Sequence, residues 1–165
     1  MNNGKIAVRI GLVYMPQESR TKKDKLQIIY DNIAKQIQKA EFEKQHILIC
    51  GDFNCKIGEK IPRNDAKVTM GGKMLLTMLK KHNLMVVNAT EKCRGVWTRT
   101  QGNEKSILDY IIMKESDEDN IVQMVIDEDK IWAPYKLEAH NNDINNIYSD
   151  HNAILLTLNW ILTEK

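Results

Sequence analysis

Apolar and polar positions alternate along the chain in a pattern that predicts short strands separated by two amphipathic helices. Residues 5–14 are largely β-branched and apolar and are followed by Pro16, which predicts a first strand. Apolar side chains then recur at three- and four-residue spacing from Thr21 to Glu43, which predicts a helix. The same spacing predicts a second helix over 72–82, opened by Gly71-Gly72.

The remaining apolar segments predict six more strands, joined by polar loops over 55–70 and 127–148. These strands are expected over 46–51, Leu84–Val87, Gly95–Arg99, Ile107–Met113, Val122–Ile126 and Ala153–Leu158. The strand that begins at His46 is apolar without alternation, as is typical of a strand covered on both faces. Strands interrupted by two helices predict a layered α/β or α+β domain.

Length and composition set broad limits on the class of protein. A chain of 165 residues is expected to form a single domain, residues 1–165. It contains no uncharged apolar run of the ~20 residues that would span a bilayer, and its first residues lack the basic and apolar regions of a secretory signal. The three cysteines, at irregular spacing, predict reduced thiols in an intracellular protein.

The small net charge of +2 conceals an uneven distribution of charge. Residues 115–130 contain seven acidic side chains and one lysine, a balance of −6, so the rest of the chain carries +8. That excess is compatible with a polyanionic partner such as nucleic acid, and equally with lysine-rich solvated helix faces.

The segment Gly51-Asp52-Phe53-Asn54 follows the buried strand and presents a carboxylate and a carboxamide in a tight turn. Taken alone, Asp52 and Asn54 could simply close the turn, because short polar side chains bond nearby backbone. Two later segments change this interpretation.

Asp109 lies inside the apolar strand segment Ser106-Ile-Leu-Asp109-Tyr-Ile-Ile, where an unpaired ionised carboxylate would be costly. His151, in Ser149-Asp150-His151, lies at a loop-to-strand junction and is the obvious partner for Asp109, whose carboxylate would fix the histidine tautomer. The alternatives are a structural hydrogen bond for Asp109 and a surface position for His151.

Together, Asp52, Asn54, Asp109, Asp150 and His151 all fall at or beside strand ends, where α/β sheets gather their ligand sites. Carboxylate oxygens suit Mg²⁺ or Mn²⁺. Carboxylates, an imidazole and a hard cation are what phosphodiester hydrolysis requires.

In this order, Gly51-Asp52-Phe53-Asn54, Ile107-Leu108-Asp109-Tyr110 and Ser149-Asp150-His151 resemble the later signatures of the endonuclease/exonuclease/phosphatase superfamily. Tyr14-Met15-Pro16 resembles its tyrosine-bearing strand end. The sequence is most similar to the endonuclease domains of non-LTR (LINE-like) retrotransposons and to craniofacial development protein 2-like sequences. The residues that carry this closer likeness are Gly71-Gly72-Lys73-Met74-Leu75, Val87-Asn88, Gly95-Val96-Trp97-Thr98-Arg99 and Ser106-x-x-Asp109.

The resemblance implies a four-layer α/β sandwich of two packed mixed β-sheets flanked by helices, of which this chain forms a part. It implies that Asp52 positions or deprotonates the attacking water, with Asn54 beside it, and that His151, supported by Asp109, binds or protonates the phosphate. Asp150, with Asp52, would bind Mg²⁺ or Mn²⁺. Tyr14 would touch the phosphate, and Thr98 and Ser106 would line the side that faces DNA.

The superfamily pattern opens with a strand ending in Asn and a glutamate that is the principal metal ligand, and no residue before Tyr14 supplies either. We therefore expect an N-terminally truncated domain with a weakened metal site. It would leave an exposed sheet edge through which the chain pairs with itself or with another chain.

Three functional hypotheses follow. The first is metal-dependent hydrolysis of DNA, which would place the protein in the nucleus if it is part of a retrotransposon protein. The second is an inactive remnant that at most binds nucleic acid or a partner protein. The third keeps the chemistry but takes a phosphoinositide or sphingolipid as substrate.

Overall fold

The computed structural model describes residues 6–61, 67–132 and 149–160. The two helices are α1 (Lys23–Phe42) and α2 (Met70–Lys81). The strands are β1 (Val8–Tyr14), β2 (His46–Asp52), β3 (Leu84–Val86), β4 (Cys93–Arg94), β5 (Arg99–Gln101), β6 (Glu104–Ser106), β7 (Asp109–Lys114), β8 (Ile121–Ile126) and β9 (Ile154–Leu158). Most of the predicted 127–148 loop, part of the 55–70 loop and residue 5 of the first predicted strand lie outside the described residues.

A four-stranded mixed sheet forms the centre of the fold, with strand order β1-β2-β7-β3. β1 runs parallel to β2, and β7 runs antiparallel to both β2 and β3. The crossover from β1 to β2 is made by α1, as a parallel pair requires. Three of the four strands were expected within two residues of their observed bounds, because each is a compact apolar segment bounded by turn residues.

The two helices cover one face of this sheet. Leu26, Tyr30 and Ile37 of α1 are buried against the apolar face of α2 and against alternate residues of β2 and β7. The amphipathic pattern therefore predicted the buried stripe of both helices correctly. No helix in the described part of the chain is long and apolar enough to cross a membrane.

The opposite face of the central sheet packs on a second, three-stranded mixed sheet with strand order β4-β8-β9. Ile111 and Met113 of β7 meet Ile121, Met124 and Ile126 of β8 in this second core. Helices, central sheet and second sheet form three of the four expected layers, which confirms a mixed α/β sandwich.

β1 is one of the two edge strands of the central sheet, and its side chains toward the second sheet are exposed. Ile10, Leu12 and Tyr14 are 63%, 84% and 81% exposed. They lie in the same rows as the half-buried Leu48 and Cys50 of β2, so the apolar surface between the sheets continues outward onto β1. An exposed apolar edge of this kind invites pairing with another chain.

α2 begins two residues before the position expected from sequence, so the two glycines lie inside the helix. Its cap is Thr69, whose hydroxyl accepts a hydrogen bond from the backbone N–H of Gly72 at 3.3 Å. A Cβ at Gly72 would lie 1.9 Å from the carbonyl oxygen of Lys56. Gly72 is therefore needed for the close approach of the preceding loop, and the expectation that Gly71-Gly72 opens the helix is wrong.

The strand expected over Gly95–Arg99 is also wrong, because only Arg99 is in a strand. Gly95 has a φ of +85°, which interrupts an extended chain. The backbone N–H groups of Val96 and Trp97 donate to the carboxylate of Glu128 instead of to a neighbouring strand. The short hairpin of β5 and β6 then follows, and sequence periodicity did not reveal it because each strand has three residues.

The acidic segment 115–130 is in part structural. Asp117 is 5% exposed and lies 2.9 Å from Nδ1 of His46. Asp127 accepts hydrogen bonds from the backbone N–H groups of Ile131 (2.9 Å) and Trp132 (2.7 Å). Several of these carboxylates therefore satisfy backbone and side-chain donors of this chain.

Candidate active site

Three of the expected site residues lie in one row across the end of the central sheet. Tyr14 of β1 is opposite Asp52 of β2, and Asp52 is opposite Asp109 of β7. Directly opposed residues point to the same face of a sheet. All three side chains therefore lie toward the second sheet, at the end of the cleft between the two sheets. Tyr14 is the outermost and is largely exposed.

Gly51 makes this arrangement possible at the end of β2. Its φ is +137°, and a Cβ added there would lie 1.9 Å from the carbonyl oxygen of Val13. Only glycine fits this conformation and this close approach to β1. The turn that follows is held by the backbone N–H of Met15, which donates to the carbonyl oxygen of Asp52 at 2.8 Å.

Asn54 holds the carboxylate of Asp52 from one side. Its backbone N–H donates to Oδ1 of Asp52 at 2.8 Å, and its side-chain Nδ2 donates to Oδ2 at 2.8 Å. Nδ2 also donates to the carbonyl oxygen of Met15 at 2.8 Å. Asn54 adopts a φ of +45°, a region that asparagine tolerates better than most residues. The turn therefore fixes the orientation of the carboxylate as well as closing the strand.

Asp109 and His151 form the pair expected from sequence. Nδ1 of His151 lies 2.8 Å and 3.0 Å from the two carboxylate oxygens of Asp109. An ionised carboxylate only accepts hydrogen bonds, so Nδ1 carries the proton. Nε2 then points away, 3.9 Å from Oδ2 of Asp52 and 3.9 Å from Oδ1 of Asp150. One imidazole therefore lies beside three carboxylates that are widely separated in sequence, from Asp52 to Asp150.

Thr98 supports this pair from beneath and does not line the surface. Its side chain is 0% exposed, and its hydroxyl accepts hydrogen bonds from the backbone N–H groups of Leu108 (2.9 Å) and Asp109 (3.0 Å). The expectation that Thr98 faces DNA is therefore corrected. A buried hydroxyl that holds the backbone of Asp109 positions the site and does not contact a substrate.

Two asparagines complete the support, and sequence reasoning gave neither of them a role. Asn88 is 7% exposed; its Nδ2 donates to the carbonyl oxygen of Asp109 at 3.1 Å and its Oδ1 accepts from the backbone N–H of Ile111 at 3.0 Å. Asn152 donates from Nδ2 to the carbonyl oxygen of Trp97 at 2.7 Å. The signals available were their position beside strand ends and, for Asn88, its place in the Val87-Asn88 segment that resembles the retrotransposon endonucleases.

The β5–β6 hairpin lies beside the site. Arg99 of β5 is opposite Ser106 of β6 in the hairpin, and on its other side it forms an antiparallel bridge to His151. Ser106, which was expected to line the DNA-facing side, is half-buried on this hairpin. Arg99 lies between Ser106 and His151.

Asp150 is paired with an arginine that sequence reasoning left without a role. Nε of Arg99 donates to Oδ2 of Asp150 at 2.7 Å, and the side chains are 24% and 40% exposed. The carboxylate of Asp150 thus lies between the guanidinium of Arg99 and the imidazole of His151. The sequence offered only the Trp97-Thr98-Arg99 segment as a signal for this contact.

The carboxyl groups of Asp52 and Asp150 are shifted in opposite directions from their ordinary pKa. Burial raises the pKa of Asp52 above its usual value, and the nearby Asp109 carboxylate adds to this, against the opposing effect of the Asn54 hydrogen bonds and His151. Burial also acts on Asp150, but its hydrogen bond and ion pair with Arg99 outweigh burial and lower its pKa. Asp52 is therefore the more basic of the two carboxylates.

The carboxylates do not by themselves fit the divalent metal ion that the resemblance implies. Both oxygens of Asp52 accept from Asn54, both oxygens of Asp109 contact His151, and one oxygen of Asp150 is held by Arg99. Among the described residues there is no group of three or more His, Cys, Asp or Glu side chains that could hold a metal ion. Each of these carboxylates is thus already engaged by a side chain of this protein.

A cleft of about 300 Å³ opens between the two sheets beside these residues. Asp109 and Asn152 supply its polar edge, and apolar residues of β2, β7 and β9 form its walls. Of the converging residues, Asp109 lines this cleft. The other four are linked to it through hydrogen bonds and contacts of at most 3.9 Å, and they are Asp52, Asn54, Asp150 and His151.

Comparison with solved structures shows the same fold in nucleases. The chain is similar to the endonuclease domain of TRAS1, a telomere-specific non-LTR retrotransposon, with 21% identity and a TM-score of 0.51, over 85% of this chain and 55% of that one. It is also similar to NExo from Neisseria, described as a 3′ phosphatase bound to a product DNA hairpin, with 13% identity and a TM-score of 0.65, over 93% and 62% of the two chains. A further structure, the 3′-5′ exonuclease NExo from Neisseria meningitidis, has 14% identity and a TM-score of 0.65, over 96% and 62%.

The chain spans less than two thirds of the length of each of these structures. No curated protein sequence matches it significantly. One family model, however, matches residues 8–155 and therefore nearly the whole chain, including every residue of the converging site. The protein belongs to the Exo_endo_phos_2 family, described as endonuclease-reverse transcriptase.

Proposed function

We propose that this chain carries the catalytic end of a nuclease that hydrolyses phosphodiester bonds in DNA. The observation that carries the proposal is the contact of one imidazole with Asp109 through Nδ1 while its Nε2 lies 3.9 Å from Asp52. A carboxylate and an imidazole this close can act on the same phosphate, the carboxylate through the attacking water and the imidazole through a phosphate oxygen.

Asp52 is the residue best suited to the attacking water. Its raised pKa makes it a better proton acceptor than an ordinary aspartate, and Asn54 keeps both of its oxygens oriented. A water bound in the gap between Asp52 and His151 would be within hydrogen-bonding reach of the carboxylate.

His151 is the residue best suited to the phosphate. Asp109 accepts from Nδ1 and fixes the ring orientation, so that in the imidazolium form Nε2–H can donate a hydrogen bond, or its proton, to a phosphate oxygen. Tyr14 lies at the exposed end of the same row, and Ser106 lies on the neighbouring hairpin. Both are proposed to contact the nucleic acid on either side of the phosphate that reacts.

Nicking of supercoiled plasmid tests this function. Nucleases of this fold generally depend on divalent metal ions, so the assay contains Mg²⁺ or Mn²⁺. We expect wild-type protein to nick the plasmid and the Asp52→Ala, His151→Ala double variant to lose that activity. Asp24→Ala, an exposed position on α1, is the matched control and should retain it. Nicking no faster than that of the double variant would refute the proposal.

A phosphoinositide or sphingolipid substrate is the alternative for the same residues. Release of a lipid headgroup without DNA cleavage would reverse the choice of substrate.

We propose an intracellular protein, nuclear if this segment belongs to a retrotransposon protein, because its three cysteines are unpaired thiols.

The exposed edge favours a second candidate function, which is binding of another chain with or without catalysis. Ile10, Leu12 and Tyr14 form an exposed row on β1, and this strand has one unpaired edge among the described residues. We propose that the chain associates with itself or with another chain through β1, because that would cover the row and pair the edge.

Sedimentation velocity tests this association. We expect concentration-dependent association of the wild-type protein, and its loss in Leu12→Lys, since a charge on this row opposes burial. Ile28→Lys is the matched control, because Ile28 is 59% exposed on α1, away from the edge. A monomeric wild-type protein, or equal association of both variants, would contradict the proposal.

A further inference from the structure

Arg99 is a cation in direct contact with the converging residues, and the fold holds it there through backbone pairing. The backbone N–H of Thr100 donates to the carbonyl oxygen of Asp150 at 2.7 Å, and that of Asn152 donates to the carbonyl oxygen of Thr98 at 2.8 Å. Arg99 and His151 are thus a directly opposed antiparallel pair without hydrogen bonds between them. In such pairs the side chains lie on the same face and closer together than in hydrogen-bonded pairs.

The guanidinium of Arg99 uses only part of its donor capacity. Nε donates to Asp150 and Nη2 donates to the side chain of Gln101. A guanidinium has five N–H donors in a planar fork, and no acceptor among the described residues is assigned to Nη1. Arg99 is 24% exposed, so the remaining donors can reach a ligand that approaches His151 and Asp150 from solvent.

The charges of the site also favour a role for Arg99 in binding phosphate. Asp52, Asp109 and Asp150 are three carboxylates within contact distance of one imidazole. A phosphate would be repelled unless a cation offsets them, and the guanidinium already holds one of the three. A planar fork matches the oxygens of a phosphate in two-point contact.

We propose that Arg99 is the built-in cation of this site, which neutralises Asp150 and binds the phosphate of the nucleic acid beside His151 without a metal ion. The inference rests on the proposed function, since it concerns how the same site holds its substrate. It assigns Arg99 to substrate binding, and it takes Asp150 as the residue that positions the guanidinium.

Binding of a fluorescein-labelled DNA duplex, measured by fluorescence anisotropy in EDTA, tests the inference. We expect Arg99→Gln to weaken binding about ten- to a hundredfold, as loss of a charge-assisted contact does. The slope of log affinity against log salt should also fall by about one. Arg99→Lys keeps the charge without the fork, so it should keep the salt slope with an intermediate affinity.

Arg9→Gln is the matched control. It likewise removes one strand arginine and one ion pair, here from β1, where Arg9 pairs with Glu43 at 2.6 Å. Arg9 is opposite Ile47, five residues before Asp52, which is about 16 Å along the strand. We expect its affinity to stay within about twofold of wild type, since charges at that distance are largely screened.

Several outcomes would overturn the inference. They are wild-type protein that binds no DNA in EDTA, affinity that depends strictly on Mg²⁺, or equal effects of Arg99→Gln and Arg9→Gln. If wild-type protein nicks plasmid but gives any of these three binding results, the role of Arg99 is refuted and the proposed function is not. If DNA binding depends on Arg99 but wild-type protein does not nick plasmid, the proposed function is refuted and the role of Arg99 in binding is not.

Discussion

Replacement of Thr98 by valine is the sharpest test of how this site is held together. Valine has nearly the same shape as threonine but no hydroxyl, so the backbone N–H groups of Leu108 and Asp109 lose the acceptor that now lies 2.9 Å and 3.0 Å from them. Thr98 is 0% exposed, which leaves no room for water as a substitute. Each buried donor without a partner costs about 1–3 kcal/mol, so the loss of both is expected to lower the free energy of unfolding of Thr98→Val by about 2–6 kcal/mol.

That loss is a large share of the roughly 5–15 kcal/mol by which a domain is usually stable. Urea unfolding followed by circular dichroism measures it, with the transition midpoint expected to fall and the slope to stay unchanged. Thr98→Ser is the control, because it keeps the hydroxyl and removes one methyl, which costs about 1 kcal/mol.

A cost below about 1 kcal/mol for Thr98→Val would refute the structural role, since even one unpartnered buried donor costs that much. So would weaker DNA binding by a Thr98→Val protein of unchanged stability. In that case Thr98 would contact the substrate directly, as the resemblance first implied.

Gly51→Ala should cost about 3 kcal/mol or more in urea unfolding, because its Cβ would meet Val13 at 1.9 Å in a backbone region that L residues rarely adopt. Gly102→Ala, also at positive φ (58°) but with no atom within 4 Å of the added Cβ, should cost only about 1 kcal/mol, and equal costs would contradict the argument. If Asp52 accepts the proton from water, the acidic limb of the pH–rate profile should lie above 3.8, the ordinary pKa of aspartate. The pKa of Asp52 is raised, so its ionised form is lost earlier on acidification. A limb at or below 3.8 would count against Asp52 as the base. Burial raises the pKa of Cys55 to about 12, so only about one part in ten thousand is thiolate at pH 8, and its alkylation should be far slower in native protein than in urea. Equal labelling in both states, read by mass spectrometry, would refute this.

Local sequence was enough to predict most of the elements. The α1 helix and the strands β1, β2, β7, β8 and β9 are each long enough for the period of their apolar residues to be seen. All agree with expectation within about two residues, except that β1 begins three residues later than expected. Short elements were missed. β4, β5 and β6 have two or three residues, and the segment between Gly95 and Thr98 is held by Glu128 from a distant loop, which no local pattern can indicate.

The sequence by itself determined which residue types lie at strand ends, and with them the candidate set Asp52, Asn54, Asp109, Asp150 and His151. Only the tertiary structure decided which of them touch, because the register of β2 against β7 and the bridge from Arg99 to His151 bring together residues from distant parts of the chain. It also buried the hydroxyl of Thr98 and paired Asp150 with a guanidinium. Side-chain exposure and partners depend on packing between layers, and that packing is not encoded in any local pattern of apolar and polar residues.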